Sequence, residues 1–464
     1  MQVGWASADV TPLRPVILRG QFHVRVSERV NDPLTATALA LEGQDAEGRP
    51  AQAIMMSCDH VGISRDLQDG LRERVRTRLR GFPAANLFVC CTHTHTAPEV
   101  AEGNYPRQGP EVMTPTECAA FLVERMADAA VEAWENRRPG GVAWAFGQAV
   151  VGHNRRAVYN DGTARMYGNT DDPRFECIEG YEDHSLNALF LWDERRRLTG
   201  VVVNLACPSQ VTENACYVSA DFWHEVRAEV RRRHGSDLFI LPQCAPAGDQ
   251  SPHFLIYKKE EAYMRERLGL TEREVIGRKI ADAVDELLAA PGEVRCDPVF
   301  QHVVKTIELP LRRITEDDVA KARAESERLE ALQPTSEPDV SRTLVLLGRC
   351  RNVIRRYDEQ KVQVHYPMEL HVIRLGDVAI ATNAFELFLD FGIRIKARSE
   401  ALQTFLVQLA CDYKGYLPTA RAVAAGSYGA EAASNHVGPE GGQVLVDKTV
   451  EEIARLWREG DRAV

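Results

Sequence analysis

Two histidines stand two residues apart in the segment CTHTHTAP, directly after an apolar run that predicts a β-strand. At this spacing, the imidazoles of His93 and His95 project to the same side of an extended chain. Neutral imidazole is the commonest metal ligand in proteins and a regular ligand of catalytic zinc. The pair therefore indicates a metal site, with two histidines that merely hydrogen-bond within the core as the alternative.

A second segment, CAPAGDQSPH at 244–253, follows the apolar run 238–241. Its composition predicts a turn that exposes the hydroxyl of Ser251 and several backbone N–H groups beside Asp249. Such a turn can carry a nucleophile or an oxyanion hole. The same residue types also form ordinary turns, so this segment taken alone leaves both interpretations open.

The position of these segments along the chain favours a functional role over ordinary turns. Five polar clusters each begin where an apolar strand stops: CTHTHT, NLACPSQ, CAPAGDQS, NAFE and DYKGY. Open α/β sheets gather their ligand-binding loops at such strand ends. We therefore predict an active site built on loops that follow several separate strands.

Further motifs occur in a fixed order along nearly the whole chain: DVTP at 9–12, FHVR and DPL within 22–34, THTH at 92–95, HNR at 153–155, VSADF at 218–222, AGDQSP at 247–252 and DYKGY at 412–416. In these motifs the chain resembles the N-terminal catalytic domain of the neutral/alkaline ceramidase family. The resemblance implies a zinc-dependent hydrolase of an N-acyl amide bond.

The resemblance also implies a set of metal ligands, with zinc as the cofactor. The family's motifs place them at His93, Glu386 and Tyr416, together with a second histidine. That histidine should fall in NLACPSQ, where this chain has Cys207. A thiolate is a good zinc ligand, so Cys207 is predicted to complete the site, with a buried structural cysteine as the alternative. His60 is a conceivable substitute ligand, although a structural role is favoured.

Catalytic roles follow from the same resemblance. His95 is predicted to move a proton during the reaction. Arg155, Tyr428 and the backbone around Ser251 are predicted to stabilise the oxyanion, and Asp249 belongs to the same catalytic loop. Whether Ser251 acts as the nucleophile or positions the substrate is left open.

Helices and strands must position these residues. Leu67, Leu71, Val75 and Leu79 recur at helical spacing, and similar patterns cover 117–136 and 222–234. Thr271 and Thr315 begin two further helices through capping patterns. Strands are predicted at 53–58, 86–91, 142–147, 188–192, 200–206, 238–241, 378–382 and 404–410. Apolar strands alternating with helices, and two apparent hairpins, predict an α/β fold of mixed β-sheets flanked by helices, similar to the ceramidase N-terminal domain.

The organisation predicted is a single ceramidase-like catalytic domain over 1–464. Segment 311–364 is charged, helical and interrupted by Pro334 and Pro338, so it is predicted to be an excursion from the main body. The family's C-terminal β-sandwich domain is expected to be absent.

Composition narrows the possible partners. A formal net charge of -11 disfavours nucleic acid, and no apolar run approaches the ~20 residues of a membrane span. The N-terminus lacks the pattern of an export signal. The eleven cysteines are scattered without paired spacing, which suits reduced thiols. We therefore predict a cytoplasmic protein.

The predicted function is that of a zinc-dependent amidohydrolase with a small-molecule or lipid-like acylated substrate. A soluble acylated metabolite is as strongly indicated as ceramide. Two alternatives are a metal-dependent lyase or epimerase acting on a sugar-like compound, and a zinc-less binding protein that retains only the pocket.

Overall fold

The computed structural model describes residues 1–461, and the strands and helices below are those of this range. In chain order the strands are β1 Gln2–Asp9, β2 Arg29–Val30, β3 Thr35–Gln44, β4 Pro50–Cys58, β5 Leu87–Cys91, β6 Arg138–Gln148, β7 His153–Asn154, β8 Arg156–Tyr159, β9 Ala164–Met166, β10 Phe175–Ile178, β11 Ser185–Asp193, β12 Leu198–Leu205, β13 Tyr217–Val218, β14 Phe239–Cys244, β15 Gln250–Ser251, β16 Phe300–Pro310, β17 His365–Leu375, β18 Val378–Thr382, β19 Glu386–Leu387, β20 Gln403–Val407 and β21 Tyr416–Leu417. The α-helices are α1 Arg65–Arg78, α2 Pro115–Glu135, α3 Phe222–His234, α4 Lys258–Leu268, α5 Glu272–Ala289, α6 Glu316–Glu330, α7 Glu337–Glu359, α8 Leu389–Arg398, α9 Ala420–Ala425 and α10 Pro439–Asp461.

Two mixed sheets form the centre of the molecule. The larger has the strand order β14-β12-β11-β6-β1-β3-β4-β5, and the smaller has the order β16-β17-β18-β20. Most neighbours are antiparallel, but β4–β5, β12–β14 and β18–β20 are parallel. Both predicted hairpins, β11–β12 and β17–β18, are present. The prediction of mixed sheets flanked by helices is therefore confirmed.

The sheets pack face to face, with helices on their outer faces. The inner core joins Trp5, Phe88 and Leu241 of the larger sheet to Phe300 and Phe405 of the smaller one. Helices α1 and α2 cover one half of the larger sheet, and α3 and α5 cover the other half. Helices α8 and α10 cover the smaller sheet. Because both faces of each sheet are buried, the strands read as continuous apolar runs.

The predicted helix starts are explained by local hydrogen bonding. Thr271 and Thr315 each accept a bond from the amide three residues later, and Glu274 and Asp318 bond back to the cap backbone. Such capping boxes satisfy amide groups that have no partner within the helix. The basic residues Arg231, Arg232 and Arg233 lie in the last turn of α3, where positive charge interacts favourably with the helix dipole.

Segment 311–364 contains a helical hairpin formed by α6 and α7, with its own small apolar cluster. It packs against the body rather than standing apart from it. Val24 donates its amide to Ser341, and the Arg349 guanidinium lies 5.5 Å from the centre of the Tyr428 ring. The hairpin therefore covers the part of the molecule that contains the predicted catalytic tyrosine.

Two further features concern the chain as a whole. Within residues 1–461, no helix is both long and apolar enough to cross a membrane. All eleven cysteines lie within this range, and each is a free thiol.

Candidate metal centre and active site

The five polar clusters follow β5, β12, β14, β18 and β20, as predicted, and the loop after β20 connects them. The Gln408 amide donates to Cys244 at the end of β14, and the Cys411 amide donates to Val89 of β5. Leu409 and Cys411 have φ angles of 55° and 63°. This left-handed backbone ends β20 at Val407, earlier than the predicted strand 404–410.

His93 is held in one orientation. Its own backbone has a φ of 67°, and its Nδ1 lies 2.7 Å from the carbonyl oxygen of Val61. That bond leaves Nε2 facing Glu386 Oε2 at 3.4 Å and His95 Nε2 at 3.3 Å. A carbonyl that fixes one ring nitrogen while the other is presented is the usual support of a metal-binding histidine.

Glu386 and Tyr416 are brought together by strand pairing, although they are far apart in sequence. They are direct partners in the parallel pair β19–β21. Tyr413 donates a 2.8 Å hydrogen bond to Glu386 Oε1. Burial alone would raise the pKa of the Glu386 carboxyl, but His93 and Arg155 outweigh it and lower this pKa below its ordinary value. Glu386 is thus a buried carboxylate in a positive environment.

The donor set suits zinc. In a tetrahedral site with bonds of about 2.0–2.1 Å, two ligand atoms lie roughly 3.3–3.4 Å apart. The 3.4 Å separation of His93 Nε2 and Glu386 Oε2 matches that spacing, and Tyr416 is the strand partner of Glu386. One imidazole, one carboxylate and one phenol oxygen are ligands that zinc accepts.

Cys207 lies apart from this group. Its thiol donates to Val151 O at 3.3 Å, and the residue belongs to the apolar cluster beneath α3 and α5. Within residues 1–461 it does not form, with His93 and Glu386, a trio whose ligand atoms lie within 4.8 Å of one another. These contacts favour the alternative of a buried structural cysteine over the predicted ligand role of Cys207, and burial raises the pKa of its thiol.

Replacing Cys207 with alanine should accordingly leave the metal content unchanged. The substitution removes a buried sulfur and its bond to Val151, so we expect a loss of stability of about 1 kcal/mol. Elemental analysis and thermal unfolding of the purified variant measure the two effects. Loss of stoichiometric metal would return Cys207 to the ligand set.

His60 has a structural role. Its Nε2 lies 2.9 Å from Pro98 O, and its Nδ1 accepts a 3.3 Å bond from the Gly62 amide. Burial and the nearby Arg19 lower its pKa to about 3, so it is a neutral histidine with both ring nitrogens in use. It is not available as a substitute ligand.

Another trio lies elsewhere in the smaller sheet. Among residues 1–461, Glu369, His371 and Cys411 are the group of three whose ligand atoms lie within 4.8 Å of one another. Arg72 already occupies it, with Nη2 2.6 Å from Glu369 and 3.3 Å from His371 Nε2. The guanidinium already engages the carboxylate and the imidazole and would repel a metal cation. We therefore interpret this cluster as a buried ion pair.

His95 contacts both the candidate ligand His93 and a glutamine that the sequence did not single out. Gln210 Nε2 lies 2.8 Å from His95 Nε2. Burial and the neighbouring His93 and Arg25 lower the pKa of His95 well below its ordinary value. His95 is therefore a neutral imidazole held beside the candidate ligand His93.

Arg155 links two halves of the site. Its Nη1 donates to Tyr167 Oη at 2.9 Å and to Gln210 Oε1 at 3.1 Å. Its Nη2 donates to Gly248 O at 3.0 Å and lies 3.4 Å from Tyr416 Oη. Tyr167 in turn donates to Ser251 Oγ at 3.2 Å. A buried guanidinium thus joins the predicted serine to the candidate ligand Tyr416.

Two predicted catalytic residues differ in position. The Tyr428 ring packs edge-on against Tyr416, with ring centres 5.3 Å apart, so it lies at the site. The Asp249 carboxylate instead accepts bonds from the Leu389 amide at 2.9 Å and from Asn154 Nδ2 at 3.2 Å. These contacts tie the Asp249 carboxylate to the backbone and side chains around the loop that carries Ser251.

Sequence reasoning missed three residues of the site. Gln210 and Tyr413 stand inside segments that were recognised, NLACPSQ and DYKGY, so a closer reading of their polar side chains would have included them. Tyr167 follows the short strand β9 and has a φ of 56°, and no motif surrounds it.

Gly20 provides a test of how closely His95 must be held. A Cβ at this position would lie 2.5 Å from the His95 ring, and the backbone φ is 115°. Gly20→Ala should therefore displace His95 and lower turnover by about 10²-fold, a typical cost of a 1 Å misplacement. Steady-state kinetics measure the effect.

Gly48→Ala is the matched control for this prediction. Gly48 also has a positive φ, 79°, but nothing lies within 4 Å of its Cβ position. It carries the backbone strain without the contact, so its turnover should equal that of the parent. Equal turnover in both variants would contradict the proposed dependence on His95.

Comparison with solved structures identifies the fold. The chain has a neutral ceramidase-like fold. It is similar to neutral ceramidase from Pseudomonas aeruginosa, with a TM-score of 0.70 and 16% identity over 98% of this chain and 74% of that one. It is also similar to a ceramidase complexed with C2, with a TM-score of 0.69 and 15% identity over 99% and 75% of the two chains. No family model matches the sequence, and no curated protein matches it.

Proposed function

We propose that the protein is a zinc-dependent hydrolase that cleaves an amide bond in an acylated substrate. The observation that carries the proposal is the assembly of His93, Glu386 and Tyr416 from three separate loops, with a His93–Glu386 separation suited to zinc. The similar structures are named ceramidases, which favours an N-acyl bond as the one cleaved.

The three donors would hold the metal, and Tyr413 would keep Glu386 oriented toward it. Bound there, zinc supplies a Lewis acid for the scissile carbonyl and for the attacking water. Tyr413 and the Val61 carbonyl fix the donors before the substrate arrives. This preorganisation supports hydrolysis over a site that retains only binding.

His95 is the proposed general base and acid. It is neutral, buried and next to His93, so it can accept a proton from the attacking water and deliver it to the leaving nitrogen. Gln210 holds its ring by the 2.8 Å contact at Nε2. Proton transfer of this kind contributes roughly 10²–10⁴-fold to a rate.

Arg155 and Tyr428 are the proposed donors to the oxyanion. Arg155 is buried and fixed by four contacts, so its charge costs little reorganisation during the reaction. A well-placed donor of this type lowers the barrier by about 2.7–4 kcal/mol. Tyr428 presents its ring beside Tyr416, within reach of the same region.

Ser251 is assigned to positioning. Its Oγ accepts bonds from Tyr167 and from the His253 amide. A nucleophilic serine needs a base that takes its proton, and neither of these partners is one. We therefore propose water as the nucleophile.

The proposal is tested by metal analysis combined with amide hydrolysis. Protein prepared without chelator should contain about one zinc per chain and release fatty acid from N-acylated amines. Removal of the metal with a chelator should abolish this activity, and added zinc should restore it. Metal-free protein that is fully active, or protein that never holds metal, would overturn the proposal.

A further inference from the structure

Two adjoining cavities lie between the helical hairpin and the body. One, of about 280 Å³, is lined by the site tyrosines Tyr413, Tyr416 and Tyr428. The other, of about 350 Å³, lies beyond it. They share three lining residues, Arg356, Lys414 and His436. The candidate active site thus connects through these residues to a second space.

Two arginines, the half-buried Arg312 and the buried Arg356, border this region without a carboxylate partner. Arg356, on α7, lines both cavities and is 7% exposed, and Arg312 lines the outer one. Within residues 1–461, no carboxylate oxygen lies within 4.0 Å of either guanidinium. Arg312 donates to Ala430 O and to Asn435 Oδ1, and Arg356 Nη1 donates to Ala432 O. Arg356 Nη2 is buried and has no hydrogen-bond partner among residues 1–461.

The other charged residues that line the two cavities are Arg65, Arg349, Lys414, Asp66, Glu359 and Asp412. Asp412 lies 3.3 Å from Lys414 and 3.7 Å from Arg65. Arg349 is paired with Glu431 at 2.8 Å, and Glu359 is paired with Arg355. Burial, Arg356 and Lys414 lower the pKa of His436 to about 4, so it is neutral at pH 7. Burial and the neighbouring Arg312 and Arg355 lower the pKa of Arg356 to about 10, and it remains charged. Among residues 1–461, Arg312 and Arg356 are therefore the cationic side chains of this region that form no ion pair.

We infer that this cleft, defined by Arg312, Arg356 and Lys414, binds an oxyanion group of the substrate. Burying a charge without a partner is costly, and a bound carboxylate or phosphate would supply the missing one. The inference rests on the proposed function and specifies its substrate class. The preferred substrate is an N-acyl compound with an anionic group on the side that faces α7.

A neutral ceramide would leave both arginines unpaired. An N-acyl amino acid would place a carboxylate in the cleft, and a phosphorylated ceramide would place a phosphate there. A guanidinium can donate two parallel hydrogen bonds to either group. The chemistry shared by the two substrates is the oxyanion, and the experiment separates them.

The test compares three substrates with the same dodecanoyl chain: N-dodecanoylglycine, dodecanoyl ceramide and the phosphate ester of that ceramide. The parent enzyme should favour an anionic compound over the neutral ceramide by at least about tenfold in kcat/KM. Arg356→Gln should reduce that ratio by about tenfold, as expected for the loss of a hydrogen bond to a charged group. Which anionic compound is preferred identifies the oxyanion.

Arg351→Gln is the matched control. Arg351 lies on the same helix α7, is exposed, has Glu330 as its ion-pair partner at 4.0 Å, and lines neither cavity. It removes the same charge without entering the cleft, so the substrate ratio should stay at the parental value. Equal ratios for Arg356→Gln and the parent, or a parent that prefers neutral ceramide, would overturn the inference.

A binding measurement separates this inference from the proposed function. Titration calorimetry with inorganic phosphate should show binding to the parent and to Arg351→Gln, and a loss of at least about tenfold in affinity in Arg356→Gln. If no amide is hydrolysed but this binding pattern is found, the oxyanion-binding inference is supported and the hydrolase proposal is contradicted. If amides are hydrolysed and phosphate binding does not depend on Arg356, only the oxyanion-binding inference is contradicted.

Lys414→Gln serves where Arg356→Gln fails to fold. Lys414 is partly exposed and lines both cavities, so its replacement disturbs packing less. Its pairing with Asp412 reduces the expected effect to about threefold in the substrate ratio, within the range of partly exposed ion pairs. Arg356→Lys, which keeps the charge, should retain more of the parental ratio than Arg356→Gln. A ratio unchanged in Lys414→Gln contradicts the inference.

Discussion

His93→Ala should remove the bound metal and lower turnover by at least about 10³-fold. The imidazole is the proposed nitrogen ligand, and a metal that polarises the carbonyl is worth several kcal/mol in the transition state. The loss should be seen in elemental analysis as well as in kinetics, because the remaining donors Glu386 and Tyr416 are too few to hold zinc tightly.

His365→Ala is the control for this variant, since His365 is exposed at the start of β17. It should keep both metal and activity. A His93→Ala protein that still contains one zinc per chain would move the metal away from the proposed centre and remove its mechanism.

His95→Ala should lower turnover by roughly 10²–10⁴-fold while the metal stays bound. The reason is geometric: His93 is the histidine whose Nε2 faces Glu386, whereas His95 contacts Gln210. Metal content and kcat measured on the same preparation separate the two roles.

Gln210→Glu gives a companion measurement, because it keeps the size of the side chain that holds His95. Its effect should appear in kcat rather than in metal content. Loss of metal in His95→Ala would place His95 among the ligands and leave the proton transfer without a residue.

The fold could be predicted because its strands are buried on both faces. Short continuous apolar runs such as 53–58 and 378–382 are typical of strands buried on both faces of a sheet. The sheet order could not be predicted, since pairings such as β6 with β11 join distant segments. Helix α4 was also missed: none of its residues is buried, so it shows no apolar face.

The candidate site was predicted where motifs are contiguous and missed where side-chain direction decides. His93, Glu386 and Tyr416 were assigned by motif, and the structure places them together. Cys207 was assigned by position alone. A residue directly after a strand can point to either side, and the sulfur lies with the apolar residues beneath α3. Gln210, three residues later, is the member of that segment that enters the site.

The pairing of Glu386 with Tyr416 bears on biosynthesis. The proposed ligands span about 320 residues of sequence, from 93 to 416. At roughly 5–20 residues per second, a ribosome needs tens of seconds to pass from the first to the last. A growing chain therefore displays His93 long before Glu386 and Tyr416 exist, and the full set of proposed zinc donors is available only once Tyr416 has been translated.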